Sequence, residues 1–389
     1  MSRTISWFRV SLFILILLNL NGCLTAPPSV APPTLTPVAW KDLPGWEEDS
    51  LSQAWPAFLQ SCRVLKKRVG WQDLCGNAQE LAANEVAIRN FFETNFTPCR
   101  VTNKDGSDHG LITGYYMPEL TGSRTPKEPF LYPLYKVPAD LLIVDLTRTY
   151  PDLDNFRLRG RVEGRKIIPY YTRKEIDSDH SLLAGNELLW VDDPVDLFFL
   201  HIQGSGRIRL DSGETVMVNY ADQNGHPFRS IGKLLLERGE MSRDQMSMQN
   251  IKRWAQQNPD RVWSLLAENP SYIFFRETPD NGAPPPGALG VRLTSERSIA
   301  VDRRSIPLGA PVFLATHRPE NLQTPLNRLM LAQDTGGAIR GAVRADFFWG
   351  IGKQAGSIAG RMKQQGKMWV LLPKSLAPKM NEKTKSPLN

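Results

Sequence analysis

Three aspartates set among small residues fill one stretch of the chain: AVDRRSIPLG at 300–309, AQDTGGAIRG at 332–341 and VRADFFWGIG at 343–352. The apolar runs at 311–315 and 328–331 predict short strands, which places the carboxylates at strand ends or turns. A single aspartate before glycines is often only a turn, because its side chain accepts hydrogen bonds from its own backbone. Three of them so close together indicate a site built on carboxylates.

The residues beside these aspartates suggest separate roles. Cleavage of a glycosidic bond needs a proton for the leaving oxygen, and one carboxyl group suffices when a hydroxyl of the sugar itself attacks. Asp346 precedes Phe347, Phe348 and Trp349, and apolar surroundings raise the pKa of a carboxyl group. We therefore predict Asp346 as the acid. Asp334 would orient it or tune its electrostatic field, and Asp302 would hold the site from the first strand.

The sequence lacks the residue patterns that other catalytic mechanisms require. The five histidines are isolated from one another, and the sequence has no HExxH, no G-x-S-x-G and no G-x-x-x-x-G-K-[ST] motif. We therefore predict neither a metal nor a cofactor. An aspartic protease would need two D-T-G segments, and only Asp334 lies in one.

The first residues differ from the rest of the chain. Arg3 and Arg9 accompany a short apolar run at 10–20, which predicts a signal peptide over residues 1–22. Cys23 follows Gly22, as in a bacterial lipoprotein with lipid on the cysteine sulfur. An uncleaved anchor, or cleavage that leaves Cys23 free, is the alternative. Leu24, which follows Cys23, is not the aspartate that retains lipoproteins in the inner membrane. This favours the outer membrane, with the protein facing the periplasm.

The segment 23–43 is rich in proline and predicts an extended tether that lifts the folded body off a membrane. A polar tail is predicted at 376–389. Of the net charge of +7, two units belong to arginines of the signal peptide, which leaves +5. This charge suits a polyanionic partner. Nucleic acid is disfavoured, because no cluster of basic and aromatic residues is present and the chain is predicted to be exported.

The body of the 389-residue chain, 41% hydrophobic, predicts two soluble domains. Helical spacing dominates between 44 and 110, where Cys62 and Cys75 could close a short loop, and strand patterns begin near Gly110. Residues 197–222 predict three strands separated by turns, and helices follow at 228–238, at 242–257 with Ser242 as N-cap, and at 261–268. Thr172 matches a capping box. The fold class is mainly β with attached helices, one domain being built from both ends of the chain.

Several ordered motifs resemble those of one family. They are GYYMPEL at 114–120, HIQGSGRI at 201–208, YADQNGHPFRSIGKLLLERGEM at 220–241, MSMQNIKRW at 246–254 and NPSYIFFRE at 269–277. Together with the three-aspartate stretch, and over about residues 40–373, the chain resembles the lytic murein transglycosylase A family. The resemblance implies a double-ψ β-barrel domain from 44–112 and 273–375. A second small β-domain at 113–272 would be inserted into it, with a groove between the two.

The resemblance also implies an activity. Family members cut the β-1,4 bond from N-acetylmuramic acid to N-acetylglucosamine in peptidoglycan without water and leave a 1,6-anhydromuramoyl end. The family's catalytic aspartate maps to Asp346, and the other two aspartates map to Asp334 and Asp302. Peptidoglycan strands would be the partner, and other cell-wall enzymes are further candidates. A peptidoglycan-binding lipoprotein without catalysis is the alternative.

The predicted substrate contacts follow from the same motifs. They are Tyr115, Tyr116, Gln203, Gly204, Ser205 and Arg229. Each has a simpler structural explanation as well. The two tyrosines could be core residues, residues 203–206 could form a hairpin turn, and Arg229 could form a salt bridge at the start of a helix.

Overall fold

The computed structural model describes residues 34–379, apart from 244 and 281. The predicted signal peptide, the lipidation site Cys23 and most of the polar tail lie outside these residues. Within them, no helix is long and apolar enough to cross a membrane. Thr34–Pro37, from the predicted tether, pairs with a strand of the folded body, so at least this part of the segment is not free chain.

Strands and helices alternate along the described chain. The strands are β1 (Thr34–Pro37), β2 (Phe96–Thr102), β3 (Gly110–Met117), β4 (Glu119–Ser123), β5 (Tyr132–Tyr135), β6 (Leu142–Ile143), β7 (Arg159–Glu163), β8 (Lys166–Pro169), β9 (Glu187–Val191), β10 (Ser205–Leu210), β11 (Thr215–Gln223), β12 (Ile273–Pro279), β13 (Ser298–Val301), β14 (Pro311–Arg318), β15 (Asn321–Asp334), β16 (Ala345–Ile351) and β17 (Lys363–Pro373). The α-helices are α1 (Trp55–Leu65), α2 (Gln72–Glu80), α3 (Glu85–Asn95), α4 (Arg173–Ser178), α5 (Pro194–Gln203), α6 (Ile231–Glu237), α7 (Met248–Gln257), α8 (Pro259–Leu266) and α9 (Gly352–Ala359).

Six strands close into a barrel in the order β17, β14, β15, β13, β16 and β3, and β3 pairs back onto β17. The pairs β13–β15 and β16–β3 are parallel, whereas the other neighbours in the ring are antiparallel. Closure leaves no unpaired edge within the ring. The prediction of a mainly β fold with a barrel is confirmed.

Aromatic side chains hold the N-terminal helices against the barrel. Phe58 of α1 and Phe92 of α3 lie 5.2 Å apart between ring centroids, and Trp46 contacts Phe313 of β14 at 5.5 Å. Strand β14 is covered on both faces over its first half, so its first four residues are all buried rather than every second one. The Cys62–Cys75 disulfide joins α1 to α2, and Cys99 is a buried free thiol.

A second sheet lies between β3 and β13 in sequence, with strand order β12, β11, β10, β4, β9 and β5. Helix α5 packs on it through Leu197 and Leu200. The sequence predicts an insert over residues 113–272. Residues 113–117 pair with β16 inside the barrel, and Ile273–Pro279 pair with β11 of the inserted sheet. The pairing therefore changes near residues 118 and 280.

Two local predictions were wrong, and both errors have a capping explanation. Residues 194–203 form a helix rather than a strand, because the Asp193 side chain accepts hydrogen bonds from the first turn and Gly204 ends the helix at a φ of 76°. The N-cap of α7 is Ser247, not Ser242, since Ser247 accepts the hydrogen bond from the Asn250 N–H. The capping box at Thr172 is confirmed.

One buried ion pair links the N-terminal segment to the barrel. Arg297 donates a hydrogen bond to each carboxylate oxygen of Asp49 at 2.9 Å, and it also donates to the carbonyl oxygens of Ser50 and Leu329. The Leu329 N–H donates to Asp49 at 2.7 Å. Both charged side chains are almost fully buried. Removing either side chain would therefore leave an uncompensated buried charge and destabilise the fold.

We predict that Asp49→Asn lowers the free energy of unfolding by about 3–5 kcal/mol, because it leaves the buried Arg297 guanidinium without its counter-charge. Urea denaturation monitored by circular dichroism measures the change. The matched control is Glu47→Gln, since Glu47 is 76% exposed and its oxygen lies 3.9 Å from Arg89. That control should alter stability by less than about 0.5 kcal/mol. Equal effects of the two substitutions would contradict a special role for the buried pair.

Candidate active site

Strand β13 brings two of the predicted carboxylates together. Ala300 is the Cα partner of Asp334 on β15 and of Asp346 on β16. Because neighbouring strands lie about 4.8 Å apart, the Cα atoms of the two aspartates flank Ala300 at a separation of about 10 Å. Asp302 follows Ala300 by two residues, just beyond the end of β13. The barrel register, and not proximity in sequence, creates this grouping.

A threonine and an arginine surround Asp346. Thr113 lies opposite Asp346 on β3, and its hydroxyl donates to Oδ1 at 2.6 Å. Arg344 in turn donates to the Thr113 hydroxyl oxygen at 2.9 Å. A guanidinium can only donate, so the Thr113 hydrogen is directed at the carboxylate. Burial raises the pKa of Asp346, against the smaller opposing effects of the Thr113 hydrogen bond and the Arg344 charge.

Asp334 has more hydrogen-bond donors. Its Oδ1 accepts from the N–H groups of Ala288 and Thr335, each at 2.9 Å, and its Oδ2 accepts from the Tyr115 hydroxyl at 3.0 Å. Burial raises the pKa of Asp334, the three hydrogen bonds lower it, and the charge of Asp346 raises it further. The charge of Asp346 therefore adds to the effect of burial in favouring the protonated form of Asp334.

The hydrogen bonds indicate which of the two carboxyl groups holds a proton and which carries the negative charge. Three donors stabilise the charged form of Asp334, whereas one hydrogen bond stabilises that of Asp346. When the pair carries one proton, the hydrogen bonds favour placing it on Asp346 and the negative charge on Asp334. This arrangement supports the predicted acid.

Asp302 belongs to a different environment. Its carboxylate accepts from the Arg304 guanidinium, with Oδ1 at 2.9 Å from Nε, and from the Gly341 N–H at 3.0 Å. Burial acts to raise the pKa of Asp302, but the hydrogen bonds from Arg304 and Gly341 outweigh it and lower the pKa to about 2. Asp302 is therefore ionised at neutral pH. Its contacts fix the loop between Asp334 and Asp346 rather than a substrate.

A groove of about 530 Å³ opens beside Asp334, between the barrel and the inserted sheet. The barrel contributes 286–288 and 334–337 to its wall, and the insert contributes 201–205 and 219–221. Predominantly polar side chains and glycine backbone line it. Such a surface can accept the hydroxyl and amide groups of a sugar chain.

Four of the predicted substrate contacts lie at or next to the groove. Gln203, Gly204 and Ser205 line it, and the Gln203 side chain also accepts from the Tyr116 N–H at 3.1 Å. Tyr115 reaches the site through its hydroxyl on Asp334, while its ring packs 5.1 Å from that of Phe348.

Two predicted contacts lie elsewhere, and we remove them from the candidate set. Tyr116 is only 8% exposed, and its hydroxyl contacts the Met248 sulfur inside the barrel core. Its side chain is a packing residue. Arg229 is outside the lining of the groove and forms a 2.6 Å ion pair with Glu268. The simpler explanation for each of these residues is the one that the structure supports.

Sequence reasoning missed several residues of the site. Thr113 immediately precedes the quoted GYYMPEL motif, but a lone threonine in a strand gave no signal. Arg157, Asn219 and Arg276 line the groove from separate elements of the insert. The proline-rich loop at 283–287 contains no catalytic residue type and gave no functional signal. Its proximity to the glycine-rich segment after Asp334 could not be read from either segment alone.

Asp334 lines the open groove, and a second buried carboxyl group, that of Asp346, flanks the same strand β13. Such a pair of buried carboxyl groups is typical of an enzyme that works by general acid–base catalysis. Comparison with known proteins narrows this class. Residues 111–276 match the MltA specific insert domain, and residues 297–372 match the 3D domain. Membrane-bound lytic murein transglycosylase A of Escherichia coli (strain K12) is 34% identical over 290 residues, which cover 73% of this chain and 71% of that protein. The chain belongs to the membrane-bound lytic murein transglycosylase A family.

Solved structures agree with this placement. The crystal structure of MltA from Neisseria gonorrhoeae in its monoclinic form is 40% identical, with a TM-score of 0.77, over 90% of this chain and 95% of that one. The structure of E. coli MltA with bound chitohexaose is 27% identical, with a TM-score of 0.64, over 87% and 91% of the two chains.

We predict that Asp346→Asn and Asp302→Asn change the stability of the protein at pH 7 in opposite directions. The folded-state pKa of Asp346 is raised, so its charge destabilises the folded state above that pKa and has no effect once pH falls below the unfolded value of about 3.9. Asp346→Asn should therefore raise the melting temperature at pH 7, with a gain that shrinks toward pH 4.

Asp302 should behave in the opposite way. Its folded pKa of about 2 lies below the unfolded value, so it contributes stability that is present above about pH 4 and is lost as pH falls toward 2. Asp302→Asn should lower the free energy of unfolding at pH 7 by about 1–2 kcal/mol, after allowance for the partly exposed Arg304. Thermal melts of both variants at pH 7, at pH 4 and near pH 2 test the pair, because the Asp346 effect disappears by about pH 4 and the Asp302 effect by about pH 2. Destabilisation by Asp346→Asn at pH 7 would refute the buried-charge assignment.

Proposed function

We propose that this protein is a lytic transglycosylase that cleaves the β-1,4 bond from N-acetylmuramic acid to N-acetylglucosamine in peptidoglycan. The product would carry a 1,6-anhydromuramoyl end. The observation that carries the proposal is the buried Asp346, held by one hydrogen bond beside an Asp334 that has three. The structure of E. coli MltA contains bound chitohexaose, which supports a sugar chain as the ligand of the groove.

The reaction needs one group that gives and then recovers a proton. Protonated Asp346 donates its proton to the leaving oxygen of N-acetylglucosamine as the bond to C1 of the muramic acid breaks. The muramoyl 6-hydroxyl then attacks C1, and the Asp346 carboxylate accepts the proton that this hydroxyl loses. The carboxyl group ends in its starting state, and no water is consumed.

The remaining residues prepare this step. The negative charge on Asp334 stabilises the oxocarbenium-like transition state. Thr113 holds Asp346 in one orientation, and Arg344 fixes the direction of the Thr113 hydroxyl. Asp302 and Arg304 order the loop that separates Asp334 from Asp346. Gln203, Gly204 and Ser205 are the proposed sugar contacts in the groove.

The first test of this proposal is mass spectrometry of purified sacculi digested with a soluble form that begins at Thr34. Products lighter by one water than hydrolytic muropeptides are expected. Asp346→Asn should keep the fold and lower kcat by at least about a thousandfold, because an amide can neither donate nor recover the proton. Arg229→Gln, outside the groove, is the matched control and should stay within about twofold of wild type.

Three other outcomes would change the proposal. Hydrated products would mean that a second carboxylate activates water, and Asp334 would then be the base of a hydrolase. Full activity of Asp346→Asn would move the acid to Asp334. Sacculus binding without any product would favour the non-catalytic binding protein.

We further propose that the protein is a lipoprotein of the outer membrane, anchored through Cys23 and facing the periplasm. The motif Leu20-Asn21-Gly22-Cys23 supports the anchor, and the curated relatives are named membrane-bound. The full-length wild type should incorporate labelled palmitate and fractionate with outer membranes. Cys23→Ala should lose the label and leave that fraction, whereas the control Cys99→Ala should retain both. A Cys23→Ala variant that stays in the membrane with the apolar segment uncleaved would favour the transmembrane-anchor alternative.

A further inference from the structure

A second cavity of about 550 Å³ lies next to the groove. The two share Asn219, Arg276, Pro286 and Gly290 in their walls, so they adjoin at these residues. The second cavity is also lined by Arg63 and Arg292, and no carboxylate is among the described residues that line it. Its remaining wall comes from α1, the proline loop, β11 and β12.

Two of the arginines in this cavity carry charges without local neutralisation. Arg63 on α1 and Arg276 on β12 are exposed, and neither guanidinium group has a hydrogen-bonding or ionic partner among the described residues, 34–379 without 244 and 281. Guanidinium groups that converge on one concave surface attract anions, and the bidentate geometry of a guanidinium suits a carboxylate. The cavity therefore favours an anionic ligand.

Asn219, a buried amide at the boundary between the two cavities, indicates a second feature of the ligand. Asn219 is 4% exposed and donates from Nδ2 to the Thr278 hydroxyl at 2.8 Å. Its Oδ1 is buried without a hydrogen-bond partner among the residues that the structure describes. An unpaired buried acceptor is costly, and a ligand that supplies an N–H group would satisfy it. A peptide carries both N–H groups and carboxylates.

The proline loop connects this cavity to the acid–base pair. Residues 283–286 line the second cavity, and the Ala288 N–H donates to Asp334. Gly287 allows the loop to approach β15 closely, because an added Cβ would lie 2.4 Å from the Gln333 carbonyl oxygen. A ligand held against residues 283–286 would therefore contact the loop that fixes Asp334.

We propose that this arginine-lined cavity binds the carboxylate-bearing peptide that branches from the glycan strand. The inference rests on the proposed function, since it assigns a place to the branch of that substrate. The glycan occupies the groove beside Asp334, and the peptide leaves it past Arg276 into the second cavity. There Arg63 and Arg276 bind its carboxylates, and Asn219 accepts from a peptide N–H.

The decisive variant is Arg63→Glu, because Arg63 lines the second cavity but not the groove. Kinetics are measured on peptide-bearing glycan strands and on strands from which an amidase has removed the peptides. On peptide-bearing strands, Arg63→Glu should lower kcat/KM roughly tenfold, mainly through KM. On peptide-free strands it should match wild type. Arg63→Lys should retain most of the activity, and the loss should shrink at high salt.

The matched control is Arg209→Glu, an exposed arginine on β10 that lines neither cavity. It should behave as wild type on both substrates. Equal loss by Arg63→Glu on the two substrates, or a loss no larger than that of Arg209→Glu, would overturn the peptide site.

A binding measurement separates failure of this site from failure of the proposed reaction. Calorimetry on the Asp346→Asn protein uses a tetrasaccharide with and without its peptides, so turnover is not required. Tighter binding of the peptide-bearing form, abolished by Arg63→Glu, would support the site even if wild type produced no anhydro ends. Equal binding of the two forms would refute it even if wild type proved to be a transglycosylase.

Discussion

The buried pair of Arg297 and Asp49 is the constraint on which the barrel depends. It joins the segment before α1 to the residue that immediately precedes β13, and Asp49 also accepts from the backbone of β15. Two charges without exposure to water are stable only together. Because β13 is the strand between Asp334 and Asp346, an ion pair that does not line the groove anchors the strand that both carboxylates flank.

The barrel then makes the carboxyl groups chemically unequal. Burial raises the pKa of both Asp334 and Asp346, whereas Asp302 is kept ionised by Arg304. The number of donors distinguishes the first two, since backbone N–H groups and Tyr115 stabilise the charge on Asp334. Strand pairing alone would not achieve this difference. It depends on the proline loop, which supplies the Ala288 N–H.

The inserted sheet provides the other wall of the groove. Its strand β12 carries Arg276, whose Cα partner on β11 is Asn219. This pair lies on the boundary of two adjoining cavities, one beside an acid–base site and one lined by arginine. The insert thus offers two kinds of surface, polar with glycine in one cavity and cationic in the other. Such a division suits a substrate with a neutral chain and charged branches.

The sequence by itself determined the mainly β fold, the three aspartates and the polar segment at 203–205, because periodicity and local motifs are properties of neighbouring residues. The barrel was implied only by the resemblance to a family. The sequence misassigned residues 197–203, where helix caps outweighed a strand-like apolar run. It could not separate Tyr116 from Tyr115, since adjacent strand residues point to opposite sides and only packing shows which side is the core. The partners of each carboxylate, Thr113 and Ala288 among them, come from strands and loops distant in sequence. Only the tertiary structure decided those contacts, because closing the barrel fixes the register that brings them together.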